Sequence, residues 1–301
     1  MTEEIKNYFK SELSSVLFDE EMKKHTTFKI GGPADVFVDA ESPSEVLTAI
    51  KIADEADLPR MIIGNGSNLL VSDKGIEGVV ICIGSRMNKI DVKENIIEAY
   101  AGVLLSSVSN AAQRSSLTGL EFAAGIPGTL GGGIYMNAGA YDGELKNVVK
   151  SVTYIDDDGN LKKADKDELD FSYRHSMFSD KNYAILSAEL ELGFGNPDEI
   201  KAKMIELNRR RCEKQPLEYP SAGSTFKRPE GYFAGKLIQD SGLMGCSVGG
   251  AMVSEKHAGF VINTGNAKAE DVVSLIEHIK KTVFEKFGVV LEPEVRVTGR
   301  L

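Results

Sequence analysis

The chain has 301 residues, 45 acidic against 35 basic side chains, a net charge of −10, and 42% hydrophobic residues. That length suits about two domains and a core that needs no disulfide or metal to fold. Its acidity gives no long-range attraction to nucleic acid or to an anionic membrane surface, so neither is expected as a partner.

The first residues, with Ile5, Phe9, Leu13 and Val16 on one side, predict an amphipathic helix reaching to about residue 20. Asp35–Asp39 predicts a strand. Ser42-Pro43-Ser44-Glu45 then predicts a helix start, with Ser42 as N-cap, Pro43 in the first turn and Glu45 closing a capping box. Pro59 bounds that helix. Met61-Ile62-Ile63 predicts a buried strand leading into Gly64-Asn65-Gly66-Ser67-Asn68. Strands are expected around Val79–Ile83 and Ile96–Tyr100, and a helix over Ser106–Ser116. After a second glycine-rich stretch, Gly119–Gly143, strands are expected near Val152 and over Tyr183–Leu192.

Composition shifts at Gly193–Pro197, where Asn196, Pro197 and Glu199 open a helix reaching about Lys214. The run Arg209-Arg210-Arg211 reads as a solvated helix end that complements the macrodipole. A long helix from about Lys268 to Phe287 carries Val272, Ile276, Ile279 and Val283 as its apolar stripe, with Gly288 as its stop. A closing strand is expected over Val289–Val297. Its alternation sets Glu292, Glu294 and Arg296 on one face and Leu291, Val295 and Val297 on the other. Helices and strands mix irregularly, which predicts the α+β class.

Met1–Lys6 lacks the basic-then-apolar pattern of a secretory leader, and no run approaches the ~18 apolar residues of a membrane span. Cys82, Cys212 and Cys246 are scattered, and His25, His175, His257 and His278 have no ligand spacing. A cytoplasmic chain without disulfides or metal is therefore expected.

The 30 glycines concentrate in two clusters. Gly64–Asn68 follows a strand, where glycine lets successive N–H groups converge on an anion. It has neither the third glycine nor the following helix of a Rossmann fingerprint, and Gly231–Lys236 is not a Walker loop. The second cluster is Gly125-Ile126-Pro127-Gly128-Thr129-Leu130-Gly131-Gly132-Gly133, followed by Asn137-Ala138-Gly139-Ala140. Together the two suggest a nucleotide-containing cofactor.

Several segments in order, spanning nearly the whole chain, carry a more specific signal. They are Thr27–Ala34, Gly64–Leu69, Gly125–Gly132, Asn137–Tyr141, Tyr173–Phe178, Ala222–Pro229, Ile238–Leu243, Gly249–Ala251 and Leu291–Arg296. This ordered set resembles the UDP-N-acetylenolpyruvoylglucosamine reductase family. The resemblance implies a two-lobed FAD-binding domain of the vanillyl-alcohol oxidase type over 1–195, with lobes at about 1–80 and 81–195. It also implies a smaller α+β substrate-binding domain over 196–288, and a strand, 289–301, returning to the FAD-binding region. No long lid insertion is seen near Tyr183–Leu192, so the shorter form is expected.

The activity implied is reduction of an enolpyruvyl ether on a UDP-sugar, a step of peptidoglycan precursor synthesis. NADPH is the co-substrate and FAD carries the hydride at its N5. A monomer is expected. The resemblance makes Arg174, Ser224 and Glu294 catalytic. Arg174 and Glu294 meet the developing enolate, and Ser224 supplies the proton. It assigns the flavin to Gly64, Asn65, Gly66, Ser67, Asn68, Gly125, Ile126, Gly128, Thr129, Gly132, Gly139 and Arg296, and the substrate to Tyr173, Lys227 and Arg228. Glu292 is expected to be a bystander. Some members carry Asn where Arg228 stands. The first glycine loop holds no His or Cys, so a noncovalent flavin is expected. Two other readings stay open: an FAD-dependent oxidase of a sugar or alcohol, and a UDP-sugar-binding protein without catalysis.

Overall fold

The computed structural model describes residues 1–300. The chain divides into two compact units, each discontinuous in sequence. One comprises 1–18, 36–65 and 78–210, the other 19–35, 66–77 and 211–301. Each has its own apolar core.

The first unit is built on antiparallel pairing. A five-stranded sheet runs in the order Leu161–Asp165, Val149–Ile155, Ala184–Glu191, Ile96–Tyr100 and Ile90–Lys93. Ala188 and Leu190 are buried from the central strand, and Val149, Val152 and Ile155 from its neighbour. A four-stranded sheet has the order Val16–Glu21, Pro33–Asp39, Ile76–Cys82, Arg60–Ile63, its last two strands parallel with Met61 opposite Val80. Against these pack the helices Pro43–Glu55 and Leu105–Arg114, whose Val46, Ile50, Leu105 and Val108 are buried in the same core.

The second unit contains the antiparallel sheet Ser247–Val248, Ala251–Val253, Val261–Asn263. Arg296–Thr298 lies parallel to Leu69–Val71. The helix Ala269–Phe287 buries Val272, Leu275, Ile276, Ile279 and Val283 and stops at Gly288, whose φ of 68° is the left-handed conformation that glycine takes freely.

Four local expectations change. The first helix ends at Glu12 and a strand begins at Val16, so Val16 belongs to the β-region that β-branched residues favour. Ser42 does cap Glu45 N–H at 3.2 Å, but the Glu45 carboxylate accepts from Ser14 and Glu41 N–H instead of completing a capping box. In Arg60–Ile63 only Ile63 is fully buried. The closing strand covers only Arg296–Thr298. Pro293 interrupts the preceding stretch, where a single bridge joins it to Phe226, and Val297 is exposed rather than packed.

Candidate active site

Within the first unit, Gly64 and Asn65 of the first glycine cluster meet Pro127–Thr129 of the second. Gly64 has room for no side chain, because an added Cβ would lie 2.2 Å from Thr129 Oγ1. The next residue, Asn65, donates from Nδ2 to Pro127 O at 2.6 Å. Thr129 is also the N-cap of the short helix Leu130–Tyr135 and accepts from Gly132 N–H at 3.3 Å. Gly131 and Gly133 are glycines for packing, since a Cβ would meet Ala101 and Leu145 at 2.8 Å, while Gly132 between them is exposed. Gly125 ends a 3-10 turn, Ile126 N–H returns to Ala123 O, and Gly139 lies in a tight hairpin opposite Glu144.

Several backbone donors of these loops are not used within the fold. Gly128 and Thr129 are buried, and among the described residues nothing accepts from their N–H groups. The same is true of the N–H groups of Asn65, Gly66 and Ser67. Buried backbone donors are normally paired; Asn65 is exposed and Ser67 half-buried, but the buried N–H groups of Gly128 and Thr129 fit a phosphate oxygen of a dinucleotide such as FAD. Gly66 must be glycine here: its φ is 59° and a Cβ would lie 2.1 Å from His25 O.

Cys82 lies near this loop, with Sγ 3.8 Å from Gly64 O. Burial, reinforced by the Asp39 charge, pushes its thiol up to about 12. It is therefore a protonated, inert thiol at neutral pH.

Tyr173 and Arg174 occupy the tip of a two-residue turn of the first unit, in which Ser172 and His175 exchange both backbone hydrogen bonds at 3.1 and 3.2 Å. Arg174 has a φ of 55°, and its guanidinium lies 5.2 Å from the centre of the Tyr173 ring.

In the second unit the loop bearing Ser224 is paired with the segment bearing Glu294. Glu294 N–H donates to Thr225 O at 2.8 Å, and Lys227 N–H donates to Glu292 O at 2.9 Å. Thr225 is buried, its Oγ1 accepting from Val261 N–H at 2.9 Å. Ser224 itself is exposed. Gly223 beside it, at φ 77°, has open space where a Cβ would be.

Asn68, expected to touch the cofactor, donates from Nδ2 to Glu294 O at 3.0 Å and accepts from Arg296 N–H at 2.9 Å. Glu292, expected to be a bystander, is the ion-pair partner of Lys227 at 3.4 Å. The Arg228 guanidinium carbon lies 4.0 Å from the centre of the Phe233 ring, with Nε donating to Tyr232 O at 3.4 Å.

Within the second unit, Ser224, Lys227, Glu294 and Arg296 thus share one hydrogen-bonded region. Tyr173 and Arg174 lie in the first unit. The sequence alone gives Thr225 and Asn137 no role, although they lie inside Ala222–Pro229 and Asn137–Tyr141. Among the described residues there is no cluster of His, Cys, Asp and Glu able to hold a metal ion, and no helix is long and apolar enough to cross a membrane.

Comparison with known proteins adds to this geometry. A family profile described as an FAD binding domain matches residues 34–165, and one described as the UDP-N-acetylenolpyruvoylglucosamine reductase C-terminal domain matches 215–298. Curated proteins named UDP-N-acetylenolpyruvoylglucosamine reductase are similar nearly end to end. That of Agathobacter rectalis is 55% identical, covering 94% of each chain, and that of Caldanaerobacter subterraneus subsp. tengcongensis is 56% identical, covering 93% of each.

The crystal structure of the Thermus caldophilus UDP-N-acetylenolpyruvylglucosamine reductase superposes with a TM-score of 0.80 at 35% identity. It covers 94% of this chain and 98% of that one. An alkyldihydroxyacetonephosphate synthase, at 16% identity and a TM-score of 0.50 over 64% of this chain and 41% of its own, shares the fold alone. With an FAD binding domain profile over 34–165, the matching C-terminal domain over 215–298 and relatives of this identity over 93–94% of its length, the chain belongs to the UDP-N-acetylenolpyruvoylglucosamine reductase family.

Proposed function

We propose that this protein reduces the enolpyruvyl ether of a UDP-N-acetylglucosamine to the lactyl ether of UDP-N-acetylmuramate, using NADPH and a noncovalent FAD. It does so as a cytoplasmic monomer making peptidoglycan precursors. The observation that carries the reading is the closure of Gly64–Asn65 on Pro127–Thr129 with its unaccepted N–H groups, found in a chain of this family. FAD, when bound, supplies the hydride for the carbon–carbon double bond.

Gly64–Ser67, Gly128 and Thr129 hold the dinucleotide phosphates, with Asn68, Gly125, Ile126, Gly132, Gly139 and Arg296 in the same cofactor-binding region. The inert Cys82 thiol and the loop's lack of His or Cys agree with an unattached flavin. Arg174 binds the substrate carboxylate, because a guanidinium grips two oxygens and stays charged as negative charge builds there. The Glu294 carboxyl shares that charge by hydrogen bonding. Ser224 Oγ gives its proton to the substrate carbon next to the carboxylate and regains one from solvent. Lys227 and Arg228 meet the diphosphate, and Tyr173 packs beside the substrate.

The test is to follow the flavin band of the purified holoenzyme in the two half-reactions. For Ser224→Ala and Glu294→Gln, reduction by NADPH persists within about twofold, while reoxidation by the enolpyruvyl substrate falls by about 100-fold or more. Equal loss in both half-reactions removes these residues from their roles. A colourless protein that binds only UDP-sugar, or rapid oxygen uptake with a simple alcohol, overturns the activity itself.

A further inference from the structure

Asn137 stands apart from the other polar residues of the first unit. It is 1% exposed, has a φ of 45°, and its side-chain amide is committed in three directions. Nδ2 donates to Ser172 O at 2.9 Å and to Glu144 Oε2 at 2.8 Å, and Oδ1 accepts from Lys146 N–H at 2.9 Å. The amide can face only one way, because a carbonyl and a carboxylate accept whereas a backbone N–H donates.

Ser172 opens the turn that presents Arg174. The residue after that turn, Ser176, is fully buried and donates from Oγ to Tyr135 O at 2.7 Å. Tyr135 ends the helix whose first cap is Thr129, the residue against Gly64. Both ends of the Arg174 turn are therefore tied to the tail of the helix that leaves the glycine loop. Arg174 itself is a non-glycine residue at φ 55°, a conformation that surroundings must impose.

We propose that Asn137, seconded by Ser176, is a positioning residue for Arg174. The pair fixes the turn on the end of helix Leu130–Tyr135, so that the guanidinium is placed relative to the loop that binds the flavin dinucleotide. The inference rests on the reading of Arg174 as the cation that meets the substrate carboxylate. It asks Asn137 to touch neither substrate nor flavin. Misplacing a catalytic group by about 1 Å can slow a reaction about 100-fold, so loss of the tether is felt in substrate reduction alone.

The experiment compares Asn137→Gly, Ser176→Ala, Arg174→Ala and the double variant Asn137→Gly/Arg174→Ala as holoenzymes, with both half-reactions followed at the flavin band. Glycine is chosen because it keeps the left-handed backbone while deleting the amide. Asn137→Gly is expected to hold its flavin and accept electrons from NADPH within about twofold of the parent, while reoxidation by the enolpyruvyl substrate slows by about 10- to 100-fold. The double variant is expected to be no more than about twofold slower than Arg174→Ala, since a positioning residue has nothing left to position.

Multiplying losses in the double variant, parallel losses in both half-reactions, or unchanged reoxidation beside a crippled Arg174→Ala each overturn the positioning role. Should Asn137→Gly fail to hold flavin, Ser176→Ala removes the second tether and faces the same criteria. Undiminished reoxidation in Arg174→Ala sinks the reading of Arg174 instead, and the single variant shows that separately.

Discussion

Asn68 holds Glu294 by the main chain: its side-chain amide donates to Glu294 O at 3.0 Å, and its own carbonyl accepts from Arg296 N–H two residues on. Together with the bond from Glu294 N–H to Thr225 O, this fixes the Glu294 backbone on both sides. A carboxyl that must meet a developing charge gains from such pre-organisation. Asn68→Ala is expected to cost about 1 kcal/mol of stability and to slow reoxidation by the enolpyruvyl substrate by about 10-fold or more, leaving reduction by NADPH near parental. Stopped-flow half-reactions on flavin-replete protein check this. Loss of flavin with a normal rate in the loaded enzyme would show that Asn68 acts only through the cofactor loop and not through Glu294.

Gly64 and Thr129 make a sharper case. Because Thr129 Oγ1 lies 2.2 Å from where a Cβ would be, Gly64→Ala must push the two glycine loops apart. Overpacking of this kind costs about 1–3 kcal/mol, and here it disturbs the donors of Asn65, Gly128 and Thr129. Expected are a lower Tm and a fall in bound flavin per chain, read from the ratio of visible to ultraviolet absorbance. Thr129→Ala in the same chain relieves the clash with Oγ1, and flavin content should partly recover. A fully loaded Gly64→Ala protein would mean that the loop contact is dispensable.

Much of this was legible in the sequence, for physical reasons that can be named. The helix Ala269–Phe287 declares itself through an apolar stripe and a terminal glycine, and Ser42-Pro43 marks its helix because capping is local. Long-range partners leave no such trace. Nothing near Ser14 or Glu41 in the sequence says that Glu45 serves their N–H groups, and nothing in Gly64–Asn68 says that Asn68 turns toward residue 294. The alternation over Val289–Val297 runs through Pro293, which cannot donate to a ladder, so the pattern extends beyond the strand Arg296–Thr298. Ordered motifs identified the family, but the pairing of Thr225 with Glu294 needed the fold.

The start of the long second-unit helix is one such long-range arrangement. Its N-cap residue, Lys268, supplies no oxygen. Instead Asp73 accepts from Ala269 N–H at 3.1 Å and from Glu270 N–H at 3.3 Å. These are orphan donors of a helix end, and a carboxylate there also meets the positive end of the macrodipole. Asp73→Ala is expected to cost about 1 kcal/mol, within the range of about 0.5–2 seen for lost caps, and to lower Tm by a few degrees. Asp73→Asn should retain most of the hydrogen bonding and lie between. Flavin content is expected to be unaffected, which separates this change from those at Gly64.

His257 gives the second unit an acid sensitivity. Burial holds its imidazole below the ordinary 6.5, with the Lys214 ammonium acting in the same direction and a backbone hydrogen bond opposing them. The ring packs edge-on against Phe260 at 5.1 Å, and Nδ1 accepts from Gly259 N–H at 3.1 Å, which requires that nitrogen to be unprotonated. The folded protein therefore binds this proton less readily than the unfolded chain, whose imidazole titrates near 6.5. The stabilisation is complete above that pH and is lost as pH falls through it toward the lower, folded value. His257→Gln should be less stable than the parent near pH 8, because it gives up the contact with Phe260, worth about 1 kcal/mol. Its Tm should decline less between about pH 7 and pH 5. Thermal unfolding of both proteins across that range decides it: parallel curves would show that His257 keeps its ordinary proton affinity and that the acid sensitivity arises elsewhere.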